Sequence, residues 1–356
     1  MNPLRGAGLP SPHDLVAGET ADDASFASWL LARCPAHYET PLARSGEIER
    51  AIGIGEAWIK DERGRMGLGS FKALGASFAV ARRAYEKLGE RLFQSGMERS
   101  ALEGETVITA SAGNHGLSLA AGARVFGANA VVYLPETAPM SFANRLRDRG
   151  ADVVIRGADY EASMAAAGEA ASANRWTLIS DSTWEGYDGG VEVMEGYLAM
   201  SAEIVEEMSQ PPSHIFLQAG VGGLAAAVAA HARRAWGDTP TIAVVEPDRA
   251  PCIRDSCLAG AMVTVEGDVS VMGRLDCKEA SHVALKSLAR DADAFIAISD
   301  GMGEAASAWL TENRLATSAS GGAAFAGLLA AREQNALELS PSSSVLMIIS
   351  ECPPDD

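Results

Sequence analysis

Basic residues are scarce in this chain of 356 residues. Lysine and arginine total 29 against 47 aspartates and glutamates, a formal net charge of −18. That excess repels DNA, RNA and anionic membrane surfaces, so no nucleic-acid or membrane partner is expected. Long apolar runs are also missing: no window approaches the ~18 uninterrupted apolar residues of a membrane span. The opening MNPLRGAGLPSPHD has no apolar core of the kind a signal peptide carries, so a cytoplasmic protein is expected. Cysteine is sparse. Cys34, Cys252, Cys257, Cys277 and Cys352 are odd in number and form no C-x-x-C pair. A zinc site or a disulfide framework is therefore not expected, and the thiols read as reduced. There is no internal repeat, no heptad array and no low-complexity linker. The first ~25 residues and the tail CPPDD read as the loosest parts of the chain.

What the chain does have is alternation. AVVYLP (130–135), DVVIRG (152–157), HIFLQAG (214–220), TIAVVEP (241–247), AFIAISD (294–300) and SVLMIIS (344–350) are short apolar runs. They are continuous rather than alternating, as in strands buried on both faces of a parallel sheet. Between them lie Ala-rich helical stretches at 141–150, 160–175 and 222–237. Strand–helix alternation predicts a doubly wound α/β architecture that binds ligands at the carboxyl ends of its strands.

Three segments carry chemistry. In GLGSFKALGA (67–76), Lys72 stands among Phe71, Ala73 and Leu74 with no charged neighbour. It is either a snorkelling lysine at the core edge or a buried amine kept for reaction. The segment reads as strand, glycine turn, then helix, placing Lys72 near a helix N-terminus, where the dipole and apolar surroundings would lower its pKa. In TASAGNHGLSLAAGARVFG (109–127), small residues and Asn114 form a turn ahead of a helix. Such a turn suits a carboxylate or a phosphate, or is simply a capped helix start. In FLQAGVGGLAAAVAAHA (216–232), Gly220, Val221, Gly222 and Gly223 open a helix and let an anion approach the backbone. A nucleotide is one candidate occupant, with Glu246 as the acidic partner ~20 residues on, but the spacing is G-x-G-G rather than G-x-G-x-x-G. Taken together, an isolated lysine, an Asn turn and a glycine loop describe a pyridoxal 5'-phosphate site.

These residues resemble the fold-type II pyridoxal-phosphate enzymes, the group of tryptophan synthase β and threonine dehydratase. Within it the chain is most similar to the diaminopropionate ammonia-lyases. The resemblance runs from HYETPL (37–42) to IISEC (348–352) and includes IKDERGRMGLGSFKALGA, DSTWEGY (181–187), MEGY (194–197), QAGVGG, VVEPDRAPC (244–252) and SASGGAAFAGLLA (318–330). It implies two domains with mostly parallel twisted sheets flanked by helices. Residues 1–100 and 186–356 would form the large domain, and 101–185 a small mobile one carrying the Asn loop. A homodimer is the common assembly of the group.

Residue by residue, the resemblance makes Lys72 the Schiff-base lysine and the base for the α-proton, beside Phe71. Asn114 would bond the cofactor's 3′-oxygen, the loop Gly220, Val221, Gly222, Gly223 would hold its phosphate, and Ser350 would face its pyridine nitrogen. The turn Ser111, Ala112, Gly113, Asn114, His115 would take the substrate carboxylate, and Asp181 its distal ammonium. The activity implied is α,β-elimination from a β-substituted amino acid, 2,3-diaminopropionate to pyruvate and ammonia. The alternative within the group is a dehydratase for serine, threonine or 3-hydroxyaspartate. Two departures stand out. Ala112 replaces an aspartate that the lyases use on the D-isomer, which implies preference for the L-isomer. Where the family reads A-G-L-x-C-G-E-P, MGRLDCKEAS (272–281) adds the charges Arg274, Asp276 and Lys278. A nucleotide-binding module and a pocket decayed to a regulatory role are the readings from other classes.

Overall fold

The computed structural model describes residues 1–111 and 113–353; Ala112 and residues 354–356 lie outside the described residues. Ten strands form two sheets: β1 (Leu42–Arg44), β2 (Glu56–Asp61), β3 (Thr106–Ala110), β4 (Asn129–Leu134), β5 (Ala151–Ile155), β6 (Thr177–Leu178), β7 (His214–Gln218), β8 (Thr241–Pro247), β9 (Ala294–Ile298) and β10 (Ser344–Ile349). The six-stranded sheet has the order β1-β2-β10-β7-β8-β9, and the four-stranded sheet β5-β4-β3-β6. Among the described residues, β1–β2 is the one antiparallel pair of named strands. All six apolar runs singled out in the sequence are strands. The strand expected at the start of the lysine segment is β2, and the missed ones are short (β1, β6) or sit ahead of the Asn turn (β3).

The continuous apolar runs have a clear physical cause. Successive side chains of a strand point to opposite faces, so a strand between two helical layers must be apolar at every position. In the large sheet Ile215, Leu217, Val244, Leu346 and Ile348 join one core, together with residues of the helices Gly75–Leu88, Gly190–Glu207, Gly223–Trp236 and His282–Asp291. Their neighbours Phe216, Val245, Val345, Met347 and Ile349 join a second core with the helix Ala323–Glu333.

The Lys72 segment is set by close packing and by buried charge. A methyl group on Gly196 would lie 2.2 Å from the carbonyl oxygen of Leu74, and one on Gly75 would lie 2.7 Å from Val193 and Tyr197. Glycine at these two positions lets the helix Gly190–Glu207 press directly against the lysine turn. Upstream, the fully buried Arg65 bonds Glu62 (Nε to Oε2, 2.8 Å) and both carboxylate oxygens of Glu203 (2.7 Å each). Glu203 also pairs with buried Lys60 at 2.8 Å. The ion cluster thus fastens the loop leading to Lys72 onto the same helix. Breaking a buried pair strands the remaining charge, so Glu203→Ala should cost about 3–5 kcal/mol, read from urea unfolding. A loss below ~1 kcal/mol would contradict this account of the loop.

The N-terminus differs from expectation. Asn2 is buried, and its side-chain amide donates to the carbonyls of Ala289 (2.9 Å) and Ala292 (2.7 Å) at the end of the helix His282–Asp291. A short polar side chain thus satisfies carbonyls that the helix end leaves without partners.

Candidate functional site

The site lies where the carboxyl ends of β10, β7 and β3 meet the loops that follow them. Lys72 sits in a 3-10 turn, Phe71–Leu74, directly ahead of the helix Gly75–Leu88. The backbone there is tied to the sheet: Phe71 N–H donates to the Ser350 carbonyl at 3.0 Å, and Ser70 pairs with Glu351 across an isolated bridge. The Lys72 ammonium is bonded to Asp181 and lies 5.6 Å from the centre of the Phe71 ring. That ring in turn tilts against Tyr197, with centroids 4.9 Å apart.

The expected lowering of the lysine's pKa is overturned. Burial does pull the amine down, but the charge of Asp181, with Tyr197 and the hydrogen bond to Asp181 behind it, outweighs burial and raises it. Asp181 is the mirror case. Burial pushes its carboxyl up, yet Lys72 and then His115 hold it well below the usual carboxylate range. The loop carrying Asp181 is braced by the WEGY block. Trp184 and Tyr187 stack at 4.4 Å across a turn whose Gly186 adopts φ +85°. The Tyr187 hydroxyl accepts from Ser180 N–H (2.9 Å) and donates to the Leu178 carbonyl (3.2 Å). Trp184 and Tyr187 thus hold Asp181 in place.

The Asn turn opens the helix Asn114–Phe126. The Ser111 hydroxyl accepts from the amides of Gly113 and Gly116, both at 3.2 Å. The side-chain amide of Asn114 donates to Glu351 at 2.7 Å. His115 is buried, with Nε2 3.0 Å from the Ile179 carbonyl and no partner for Nδ1 among the described residues. Burial lowers its pKa, which keeps the ring neutral.

The glycine loop follows β7. Gly222 takes φ +100° as the N-cap of the helix Gly223–Trp236 and offers no side-chain cap. A methyl group on Gly220 would lie 3.0 Å from Cys277 Sγ and 3.1 Å from the Arg274 carbonyl. The first-turn amides of this helix have no carbonyl one turn back to bond, which suits a bound phosphate. Glu246 is not placed to bind a ribose. It is buried, is pushed up to about 8 by that burial, and accepts the amides of Ile253 (2.8 Å) and Arg254 (2.9 Å).

Lys72 thus meets Asp181 and Phe71, Phe71 is tied to Ser350, Asn114 joins them through Glu351, Gly220 lies against Arg274 and Cys277, and Ala112 lies outside the described residues. Glu351 is a residue that sequence reasoning missed. Its buried carboxylate accepts from Asn114 and Ser318 and forms an ion pair with Arg274 (Nε at 2.9 Å), while burial raises its pKa against the pull of Arg274. The signal was a lone acid two residues beyond the apolar run that ends β10. Pyridoxal phosphate fits these residues on three counts: a lysine amine paired with Asp181, a side-chain-free cradle on a helix start, and buried hydroxyls of Ser70 and Tyr197 with no partner among the described residues. Among the described residues no His, Cys, Asp and Glu cluster has a metal-binding arrangement.

The family described as pyridoxal-phosphate dependent enzymes matches residues 34–351. The diaminopropionate ammonia-lyase of Escherichia coli (strain K12) is 30% identical over 299 residues, 80% of this chain and 75% of its own length. A probable D-serine dehydratase of Burkholderia thailandensis is 27% identical over 386 residues, 97% of this chain and 80% of its own length. The crystal structure of the Escherichia coli diaminopropionate ammonia-lyase, in complex with an aminoacrylate-PLP azomethine reaction intermediate, superposes with a TM-score of 0.86. Its identity is 26%, covering 98% of this chain and 92% of that one.

Proposed function

The chain belongs to the pyridoxal-phosphate-dependent enzymes, and from that premise we propose that it eliminates ammonia from L-2,3-diaminopropionate, leaving 2-aminoacrylate that hydrolyses to pyruvate and a second ammonia. The observation that carries the reading is the Lys72–Asp181 pair beside a glycine-lined helix start. Lys72 is the covalent anchor of the cofactor. Phe71, Asn114 and Ser350 hold its ring, and Gly220, Val221, Gly222 and Gly223 its phosphate. The cofactor supplies an electron sink for the bond broken at Cα.

The side chains of this protein do the rest. The turn at Ser111, Ala112, Gly113 and His115 receives the α-carboxylate, and Asp181 receives the β-ammonium. Once that ammonium occupies Asp181, Lys72 has lost its counter-ion, and burial alone then acts on the amine and makes it a base. Lys72 takes the Cα proton, the C–H electron pair becomes the Cα–Cβ double bond, and the Cβ–N bond breaks. The β-amino group is held as an ammonium, so it departs as neutral ammonia without needing a proton donor. With an alanine at 112, Lys72 is the base on the single face that the L-isomer presents, hence the L-preference.

Release of ammonia and pyruvate across L- and D-diaminopropionate, L-serine, L-threonine and 3-hydroxyaspartate tests this. L-diaminopropionate should exceed every other substrate by at least about tenfold in kcat/KM. A hydroxy amino acid in first place would make the chain a dehydratase. We further propose residues 101–185, which contain the whole four-stranded sheet, as the unit that closes on substrate, in a cytoplasmic homodimer.

A further inference from the structure

We infer that Arg274 binds the α-carboxylate of the substrate, so that a guanidinium completes the acid-binding end of the pocket. The inference rests on the reading of the chain as an amino-acid lyase. It begins with the three charges that the loop 272–281 adds. Two of them cancel: Lys278 pairs with Asp276 at 2.6 Å and also donates to the carbonyls of Arg249 and Asp268. Arg274 is different. Its side chain is 36% exposed and keeps one contact, Nε to Glu351 at 2.9 Å. Among the described residues, neither terminal nitrogen has an acceptor. A guanidinium carries five N–H donors, and its two-nitrogen edge matches a carboxylate in bidentate geometry.

Its position fixes what that edge would meet. Arg274 Nη1 lies 2.8 Å from the place a methyl group on Gly113 would occupy, against the turn that opens the helix Asn114–Phe126. That turn has spent part of its own donor capacity, because the amides of Gly113 and Gly116 both point into the Ser111 hydroxyl. Two of the amides at the carboxylate end of the pocket are thus already engaged where the terminal nitrogens of Arg274 stand. Glu351 pairs with Arg274 through its charge, with Nε the nearest nitrogen, and among the described residues neither terminal nitrogen is hydrogen-bonded to that carboxylate.

The test uses the holoenzyme and two ligands with no leaving group, L-alanine and L-alaninamide, titrated against the visible absorbance of the bound cofactor. Wild-type protein should bind L-alanine more tightly than the amide. Arg274→Ala should weaken L-alanine by about 10- to 100-fold and leave L-alaninamide within about twofold, the loss of a charge-assisted bidentate pair. Arg274→Lys, which keeps the charge and loses the fork, should fall between them, and it decides the matter if the alanine variant does not load cofactor. Unchanged L-alanine binding, or equal losses for both ligands, would overturn the assignment. L-alanine cannot undergo the elimination, so this result is independent of the substrate panel. A protein that passes here and releases no ammonia there keeps Arg274 and loses the proposed reaction.

Discussion

Lys72→Ala should abolish the absorbance at ~410–430 nm that a lysine-bound cofactor gives, and reduce turnover by at least about 10³-fold. Both effects would share one cause, since in the proposed mechanism the amine that anchors the cofactor is also the base. A variant that keeps the band and full turnover would remove Lys72 from the mechanism. The same substitution has a second signature. Asp181 loses the ammonium that holds its carboxyl down, and burial, the opposing influence, then raises its pKa above that of the unfolded chain. A carboxyl with a raised folded pKa favours folding below its unfolded pKa and loses that contribution as pH rises through the folded one. Relative to wild type, the variant should therefore be least stable at neutral pH and recover toward pH 4, measured as Tm against pH.

Asp181→Asn should shift the acid limb of cofactor loading. In the wild-type apoprotein Asp181 raises the Lys72 pKa above its ordinary value, so the neutral amine that attacks the cofactor aldehyde is scarce at neutral pH. Removing the carboxylate leaves burial to act on the amine, and its pKa falls below the ordinary value. The plot of loading rate against pH should move to lower pH by at least about one unit, so loading at pH 7 becomes faster while turnover of diaminopropionate collapses. A loading profile that does not move would mean that Asp181 does not control the amine.

The contrast between these two residues marks what could be read from the chain. Lys72 stood out as a candidate because a lysine among Phe71, Ala73 and Leu74, ambiguous by itself, gained a partner from the Asn turn and the glycine loop, whose Gly222 is left-handed. The strands were legible because burial on both faces leaves a continuous apolar run inside each of β7, β8 and β10, with polar residues confined to or near their ends. The direction of the lysine's pKa was not, because it depends on a carboxylate 109 residues away in sequence. Glu351 has no periodic signature at all, since one acid after an apolar strand becomes meaningful only once Asn114, Ser318 and Arg274 are seen around it. The strands β1 and β6, three and two residues long, are too short to carry a pattern.

The alternation of side chains along β7, β8 and β10 between two cores has a consequence for how the protein tolerates change. Each central strand is a partition wall one residue thick, with the helices that follow Lys72 and the glycine loop on one side only. Neighbouring residues such as Leu346 and Met347 therefore answer to different neighbourhoods, and each compartment can drift in composition without the other following. A deletion of one residue within such a strand is a different kind of event, since it exchanges the two faces along the strand beyond the lesion and sends each side chain into the compartment built for its neighbour.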